Sequence, residues 1–320
     1  MSAPKTLVIG ANGQIGTELA EALAARHGSA NVVTSDLAPQ GRVSGLAHEP
    51  LDVLDAAALA GVVARHGITQ VVLLAAALSA RGEQHPAWAW DLNMRSLLNV
   101  LELARERKLK VFWPSSIAAF GPGTPRHGTP QHTVMDPTSV YGISKLAGEG
   151  WCRWYFDKHG VDVRSLRYPG LISYKTPPGG GTTDYAVDIF HAALRDGHYT
   201  CFLRPDTALP MMYMSDAIRA TLELMEAPAE QVKERTSYNL AGLSFTPAQL
   251  ADEMRRHLPQ FAVSYAPDFR QAIADSWPSS IDDSAARHDW GWQPRVDLRA
   301  LVKTMLDGVR SLHDPARLAA

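Results

Sequence analysis

Cysteine is nearly absent: Cys152 and Cys201 are the only two in 320 residues, and they form no C-x-x-C pair. A disulfide framework is therefore not expected, and the twelve histidines build no ligand cluster with so few cysteines, so no metal is expected. No run of about 18 apolar residues occurs, which leaves no candidate membrane span. The first apolar run is short and breaks at glycine, unlike an export signal, and a reducing cytoplasm is the expected setting. An excess of charge is missing too. The 31 Lys and Arg against 33 Asp and Glu leave −2, so no broad basic surface draws nucleic acid or anionic lipid, and neither is expected as a partner. What is present, 46% hydrophobic and 20% charged residues, is ordinary for a soluble globular protein with one large core or two linked ones.

Thr6-Leu7-Val8-Ile9 is a short apolar, β-branched run, followed by Gly10-Ala11-Asn12-Gly13-Gln14-Ile15-Gly16 and then by Ile15, Leu19 and Leu23 at helical spacing. Strand, glycine turn and helix in this order bring backbone N–H groups and a helix N-terminus close to a pyrophosphate. The spacing is G-x-x-G-x-x-G rather than the commoner G-x-G-x-x-G fingerprint. A second run, Asn31-Val32-Val33-Thr34-Ser35, ends in Asp36, twenty positions after Gly16, where a carboxylate accepts from an adenosine ribose 2′-hydroxyl. Because the same carboxylate repels a 2′-phosphate, NAD is expected rather than NADP.

Asp52 and Val53 lie just before a helical stretch at 56–66, where an adenine can be read. Gln70-Val71-Val72-Leu73-Leu74-Ala75-Ala76-Ala77 is continuously apolar, as in a parallel strand buried on both faces, and small residues at its C-terminal end let a dinucleotide pass closely. Ser79 follows in the same loop. A long helix at 88–107 carries Asn93, a strand follows at 110–116, a helix at 139–159 and a strand at 161–168. This alternation predicts an α/β fold with a doubly wound, Rossmann-like parallel sheet. Residues 1–170 form the expected NAD-binding domain, to which the chain returns around 208–240, and residues 171–320 are mainly a smaller substrate-binding lobe. Thr176-Pro177-Pro178-Gly179-Gly180-Gly181-Thr182-Thr183-Asp184-Tyr185 opens that lobe, its glycines suited to close backbone approach or a hinge.

The chemistry is carried by Val140-Tyr141-Gly142-Ile143-Ser144-Lys145 with Ser115-Ser116 upstream. Four residues apart on a helix, Tyr141 and Lys145 share a face, which places an ammonium beside a phenol. A phenol with a reference pKa near ~10 becomes a general base once a cation favours its phenolate. Ser116 can hydrogen-bond the substrate oxygen that loses its proton.

Taken in order, the glycine loop, Asp52-Val53, Asn93, Ser116, Tyr141 and Lys145 resemble the extended, epimerase-like short-chain dehydrogenase/reductase family, and the likeness covers nearly the whole chain. Asp289-Trp290-Gly291-Trp292-Gln293-Pro294 is similar to that family's C-terminal segment, its tryptophans expected in the core. Leu166-Arg167-Tyr168-Pro169-Gly170-Leu171-Ile172-Ser173, Pro178 to Tyr185, Leu78-Ser79-Ala80-Arg81-Gly82-Glu83 and Phe112 to Gly121 resemble the short-chain-type L-threonine 3-dehydrogenases more closely. The resemblance implies oxidation of the Cβ hydroxyl of L-threonine to 2-amino-3-oxobutyrate with hydride transfer to NAD. It assigns the base to Tyr141, its support to Lys145, hydroxyl contact to Ser116, and substrate binding to Ser79, Ser116, Tyr141, Thr182, Thr183 and Asp184. The cofactor set it implies is Gly10, Asn12, Gly13, Gln14, Ile15, Gly16, Asp36, Leu37, Asp52, Val53, Leu74, Ala75, Ala76, Asn93, Tyr141, Lys145 and Tyr168. It also implies a homodimer in which the two long helices pack against their symmetry mates. Two other readings stay open: a nucleotide-sugar epimerase or dehydratase, and a non-enzymatic NAD(H)-sensing regulator.

Overall fold

A computed structural model describes residues 3–176, 179 and 181–312, apart from the side chains of residues 79–81. In chain order the first elements are β1 (Thr6–Ile9), α1 (Gln14–His27), β2 (Val32–Asp36), β3 (Ala47–Pro50), α2 (Ala56–His66), β4 (Gln70–Leu73), α3 (Ser79–Gln84) and α4 (Pro86–Arg107). They are followed by β5 (Lys110–Phe112), β6 (Ser115–Ser116), α5 (Val140–His159), β7 (Val163–Arg164), β8 (Leu166–Tyr168) and β9 (Gly170–Ile172). Six strands pair in parallel in the order β3-β2-β1-β4-β5-β7, the doubly wound, Rossmann-like α/β sheet expected from the alternation of strands and helices. Successive side chains of a strand point to opposite faces. Leu7 and Ile9 accordingly join Leu59, Leu97, Leu101 and Tyr155 of α2, α4 and α5, while Val8 joins Leu19 and Leu23 of α1 on the other face. Burial of apolar residues on both faces is what the unbroken apolar runs require.

Several elements stop or start for local reasons. Ser139 caps α5, its hydroxyl accepting from the Gly142 N–H at 3.0 Å, and Gly160 closes the helix in the left-handed region. The expected strand at 110–116 is two strands, interrupted at Trp113-Pro114, where proline has no N–H to give a neighbour. That at 161–168 is likewise split into β7 and β8. Ser79, expected in a loop, is instead the first residue of α3. The strand β3, polar and half-exposed, has no hydrophobic run to announce it.

Beyond β9 come α6 (Tyr185–Asp196), β10 (His198–Cys201), β11 (Leu209–Tyr213), α7 (Met214–Glu226), β12 (Tyr238–Asn239), β13 (Leu243–Phe245) and α8 (Pro247–Arg255). The last elements are β14 (Ala262–Tyr265), α9 (Arg270–Asp275), α10 (Ser284–Trp290) and α11 (Leu298–Leu312). β11 pairs in parallel with β9, and β12 with β8, which in turn pairs with β6. α7 adds Ala220 and Leu224 to the face covered by α1, and Trp292 is fully buried there. A further core gathers Tyr185, Phe190, Leu250, Met254, Leu301 and Met305 around Ile117 and Phe120 from the first half of the chain. The segment between β6 and α5 is thus built into both halves, which puts Ser116 and Tyr141 where they meet.

Candidate active site

Two of the three glycines in the first loop are demanded by close packing. A Cβ on Gly10, whose φ is +81°, would lie 2.7 Å from the backbone nitrogen of Ala75, and one on Gly16 would lie 2.4 Å from the carbonyl oxygen of Gly10. Gly13 is less crowded and precedes α1, which has no side-chain cap and no acidic residue in its first turn. An uncapped helix end presents free N–H groups and the positive end of its dipole, and so can receive a pyrophosphate. Asp36 lies beside this loop, its carboxylate accepting from the Asn12 N–H at 3.1 Å and keeping lone pairs for a ribose hydroxyl. The β2–β3 pairing sets Pro50 opposite Asp36, and the Leu51 N–H donates to the Asp36 carbonyl at 2.9 Å. Asp52 and Val53 are thereby brought next to Asp36 and to Leu37, which is 75% exposed. These features fit an NAD molecule lying across the C-terminal ends of the parallel strands.

Leu74, Ala75 and Ala76 continue β4 into a half-buried loop held from behind by Asn93. The Asn93 amide oxygen accepts from the Ala77 N–H at 2.7 Å, and its NH2 donates to the Ser144 hydroxyl at 3.0 Å. Asn93 thus ties the loop to α5. The Tyr168 hydroxyl is bonded to Thr221 of α7, which leaves its ring and backbone as the parts open to other contacts.

Tyr141 is hydrogen-bonded to Ser116, yet burial outweighs this and pushes the phenol up to about 12. Lys145 is pulled down to about 7 by burial, opposed by the charge of Glu149, while burial pushes the Cys152 thiol up and keeps it neutral. Its ammonium donates to the Pro114 carbonyl at 2.6 Å and stands 4.4 Å from the Trp113 ring centroid and 5.4 Å from that of Tyr141. Helical spacing does bring the two side chains to one face. Both groups are desolvated, and desolvation favours the neutral form of each.

Ser116, Tyr141, Thr182, Thr183 and Asp184 line one cavity of about 400 Å³, together with Asn12 and Gln14 of the first loop. Other lining residues, among them Arg42, Leu78, Pro169, Thr176 and Trp277, are not in the expected contact set. Leu78 and Pro169 lie within the quoted motifs, whereas nothing in the local pattern around Arg42 or Trp277 marks them. Thr182 is 3% exposed. Thr183 packs on Gly170, where an added Cβ would come 2.7 Å from its methyl carbon. The Asp184 carboxylate accepts from the Gly181 N–H at 2.7 Å, so it shapes the turn leading into α6. Pro177, Pro178 and Gly180 of this segment lie outside the described residues, as does the side chain of Ser79. Two other clefts, of about 350 and 590 Å³, lie between α1 and α7 and contain neither Ser116 nor Tyr141. Among the described residues no three His, Cys, Asp or Glu side chains are grouped to hold a metal, and no helix is long and apolar enough to cross a membrane.

The model of the NAD dependent epimerase/dehydratase family matches residues 6–241. An uncharacterized epimerase/dehydratase of Staphylococcus saprophyticus is 48% identical over 309 residues, 95% of this chain and 97% of that one. Among solved structures, the holo form of a GalE-like L-threonine dehydrogenase from Cupriavidus necator is 68% identical, with a TM-score of 0.95 over 96% of this chain and 100% of that one. A monomeric L-threonine 3-dehydrogenase from a metagenome, in its apo form, is 46% identical, with a TM-score of 0.93 over 97% of this chain and all of the other.

Proposed function

This chain belongs to the NAD-dependent epimerase/dehydratase family, and we propose that within it the protein is a metal-independent L-threonine 3-dehydrogenase, oxidising the Cβ hydroxyl to give 2-amino-3-oxobutyrate. The observation that carries this reading is the joining, in one cavity, of the Ser116–Tyr141 hydrogen bond with the threonine-rich turn 181–184 beside the glycine loop. Its cofactor is NAD. When bound, NAD supplies the hydride acceptor. Tyr141 takes the proton of the substrate hydroxyl as its carbon–hydrogen bond breaks, and Ser116 donates to the same oxygen and orients it. Lys145, held by the Pro114 carbonyl, supplies the positive charge that favours the phenolate. Thr182 offers its hydroxyl to the substrate carboxylate. The Asp184 carboxylate sets the turn and puts a negative charge near the ammonium.

We assign the dinucleotide to the lobe formed by residues 1–170 and the returning strands and helix at 208–240, and the amino acid to the boundary with the smaller lobe. Trp88 and Trp90 on α4 and Ile143, Trp151 and Trp154 on α5 are exposed large apolar side chains on two helices packed side by side. Such a patch supports the homodimer, since a two-fold pairing buries it against its own copy. A monomeric mass at working concentration removes that part of the reading.

The deciding assay is NADH formation with L-threonine, L-serine and L-allo-threonine, with chromatographic product analysis of a UDP-hexose in parallel. Turnover with L-threonine is expected. Turnover with the sugar nucleotide alone makes the protein an epimerase or dehydratase, and NAD binding with no turnover on any of the four favours a sensor. Kinetic preference for NADP overturns the role of Asp36.

A further inference from the structure

Beneath the cavity lies an ion pair that the proposed chemistry does not use. Glu149 of α5 and Arg167 of β8 are both almost completely buried, with Arg167 donating to the two carboxylate oxygens at 2.9 and 2.7 Å. The Ser115 hydroxyl donates to the same carboxylate at 2.6 Å. Arg167 spends its remaining donors on the Gln131 carbonyl at 3.0 Å, the Asn239 side chain at 2.9 Å and the Met135 sulfur at 3.4 Å. Ser115 opens the two-residue strand that contains Ser116 and directly follows Pro114, whose carbonyl holds Lys145. Glu149 therefore grips the strand that positions Ser116 and Lys145, and it stands one helical turn beyond Lys145, on the same face.

Resting on the reading of Lys145 given above, we propose that Glu149 is a positioning residue of this site. Its buried carboxylate fixes the Pro114–Ser116 strand through Ser115 and supplies the negative charge that keeps Lys145 cationic. The surroundings of Lys145 leave few rivals for that role. Along α5 it meets Tyr141, Cys152 and Glu149; from the β5–β6 connection come the Trp113 ring and the Pro114 carbonyl; α4 faces α5 with the neutral Asn93 and, farther along, with Glu102 bonded to Tyr155. The large desolvation of Lys145 makes any compensating charge decisive.

The test titrates Lys145 in protein carrying 13Cε-labelled lysine, the resonance being assigned by its loss in Lys145→Met, and follows kcat against pH in the same variants. In Glu149→Gln the Lys145 midpoint is expected to fall by about one unit, and kcat on the alkaline side of that midpoint to fall because fewer molecules keep the lysine cationic. In Glu149→Asp, which keeps the charge but shortens the reach, kcat falls while the Lys145 midpoint stays in place. If the lone amide leaves Arg167 too costly to bury, Glu149→Gln with Arg167→Met removes the pair together and is expected to show a smaller fall in the same direction, because loss of the nearby cation offsets part of the loss of the carboxylate. A Lys145 midpoint unmoved in the folded glutamine variant overturns the proposal. Because the titration needs no substrate, it reads the role of Glu149 even if the wild-type protein fails to oxidise threonine, a result that counts against the proposed reaction alone.

Discussion

Two glycine-rich turns border the cavity, and they use glycine for different reasons. In the loop before α1, Gly10 and Gly16 are surrounded by backbone at distances no Cβ tolerates, so their hydrogens are a packing requirement. In the turn before α6, a Cβ on Gly179 would meet, among the described residues, only the end of the Leu78 side chain at 3.6 Å, an ordinary contact, and one on Gly181 would stand 3.0 Å from an Asp184 carboxylate oxygen. The first turn is a cast for the cofactor. The second is looser at Gly179 among the described residues, and its Thr182, Thr183 and Asp184 bring polar groups to the cavity. A run of glycines in a sequence can therefore mean either rigidity or freedom, and the neighbours of each Cβ decide which.

The largest effect is expected between the two turns. Tyr141→Phe leaves both intact, so NAD should still bind with unchanged affinity in a direct titration while kcat falls by about 10²- to 10⁴-fold. The wild-type rate should also climb with pH up to the Lys145 midpoint at about 7, because the active form, a phenolate beside a cationic lysine, holds one proton fewer than the resting pair. Below the midpoint the rise is about tenfold per unit. A rate flat from acid to alkali, or full activity in the phenylalanine variant, removes Tyr141 from the mechanism.

Gly16→Ala attacks the rigid turn. With its Cβ 2.4 Å from a backbone oxygen, the loop must shift, costing about 1–3 kcal/mol of stability and most of the NAD affinity, measurable by thermal unfolding and by cofactor titration. Normal NAD binding by this variant breaks the contrast between the turns. Thr182→Ala probes the other side. It should raise the KM for threonine by roughly tenfold, the loss of one hydrogen bond to a charged group, and lower kcat, with the NAD affinity held. Smallest of all is Gly179→Ala, expected to leave stability within about 0.5 kcal/mol and to change kcat only modestly; a loss of stability as large as that in Gly16→Ala would show that the second turn is packed as tightly as the first.

Which parts of this were readable in advance follows from the range of the interactions involved. The glycine loop, Asp36 at the end of β2 and the shared face of Tyr141 and Lys145 each depend on residues close in the chain, and each is found where its spacing places it. The same holds for the parallel sheet, since alternation of apolar strands and helices leaves few other ways to bury both faces. Trp277 and Arg42 escaped because their approach to the cavity depends on how distant segments fold over it. The strand β3 escaped for a different reason: it is an edge strand without an apolar run, although its pairing is what brings Asp52 beside Asp36.

By itself, then, the sequence determined the dinucleotide turn, the doubly wound order of strands and helices, and the candidate set Ser116, Tyr141 and Lys145, because a helix or strand repeat converts spacing directly into direction. The tertiary structure alone decided the protonation balance of that set and the partners that hold it. Desolvation and the Pro114 carbonyl act on Lys145 across a 31-residue separation, and Arg167 reaches Glu149 across 18. Electrostatic energy in a low-dielectric interior depends on the distance through space and on the water excluded, and neither is written in the spacing of residues along the chain.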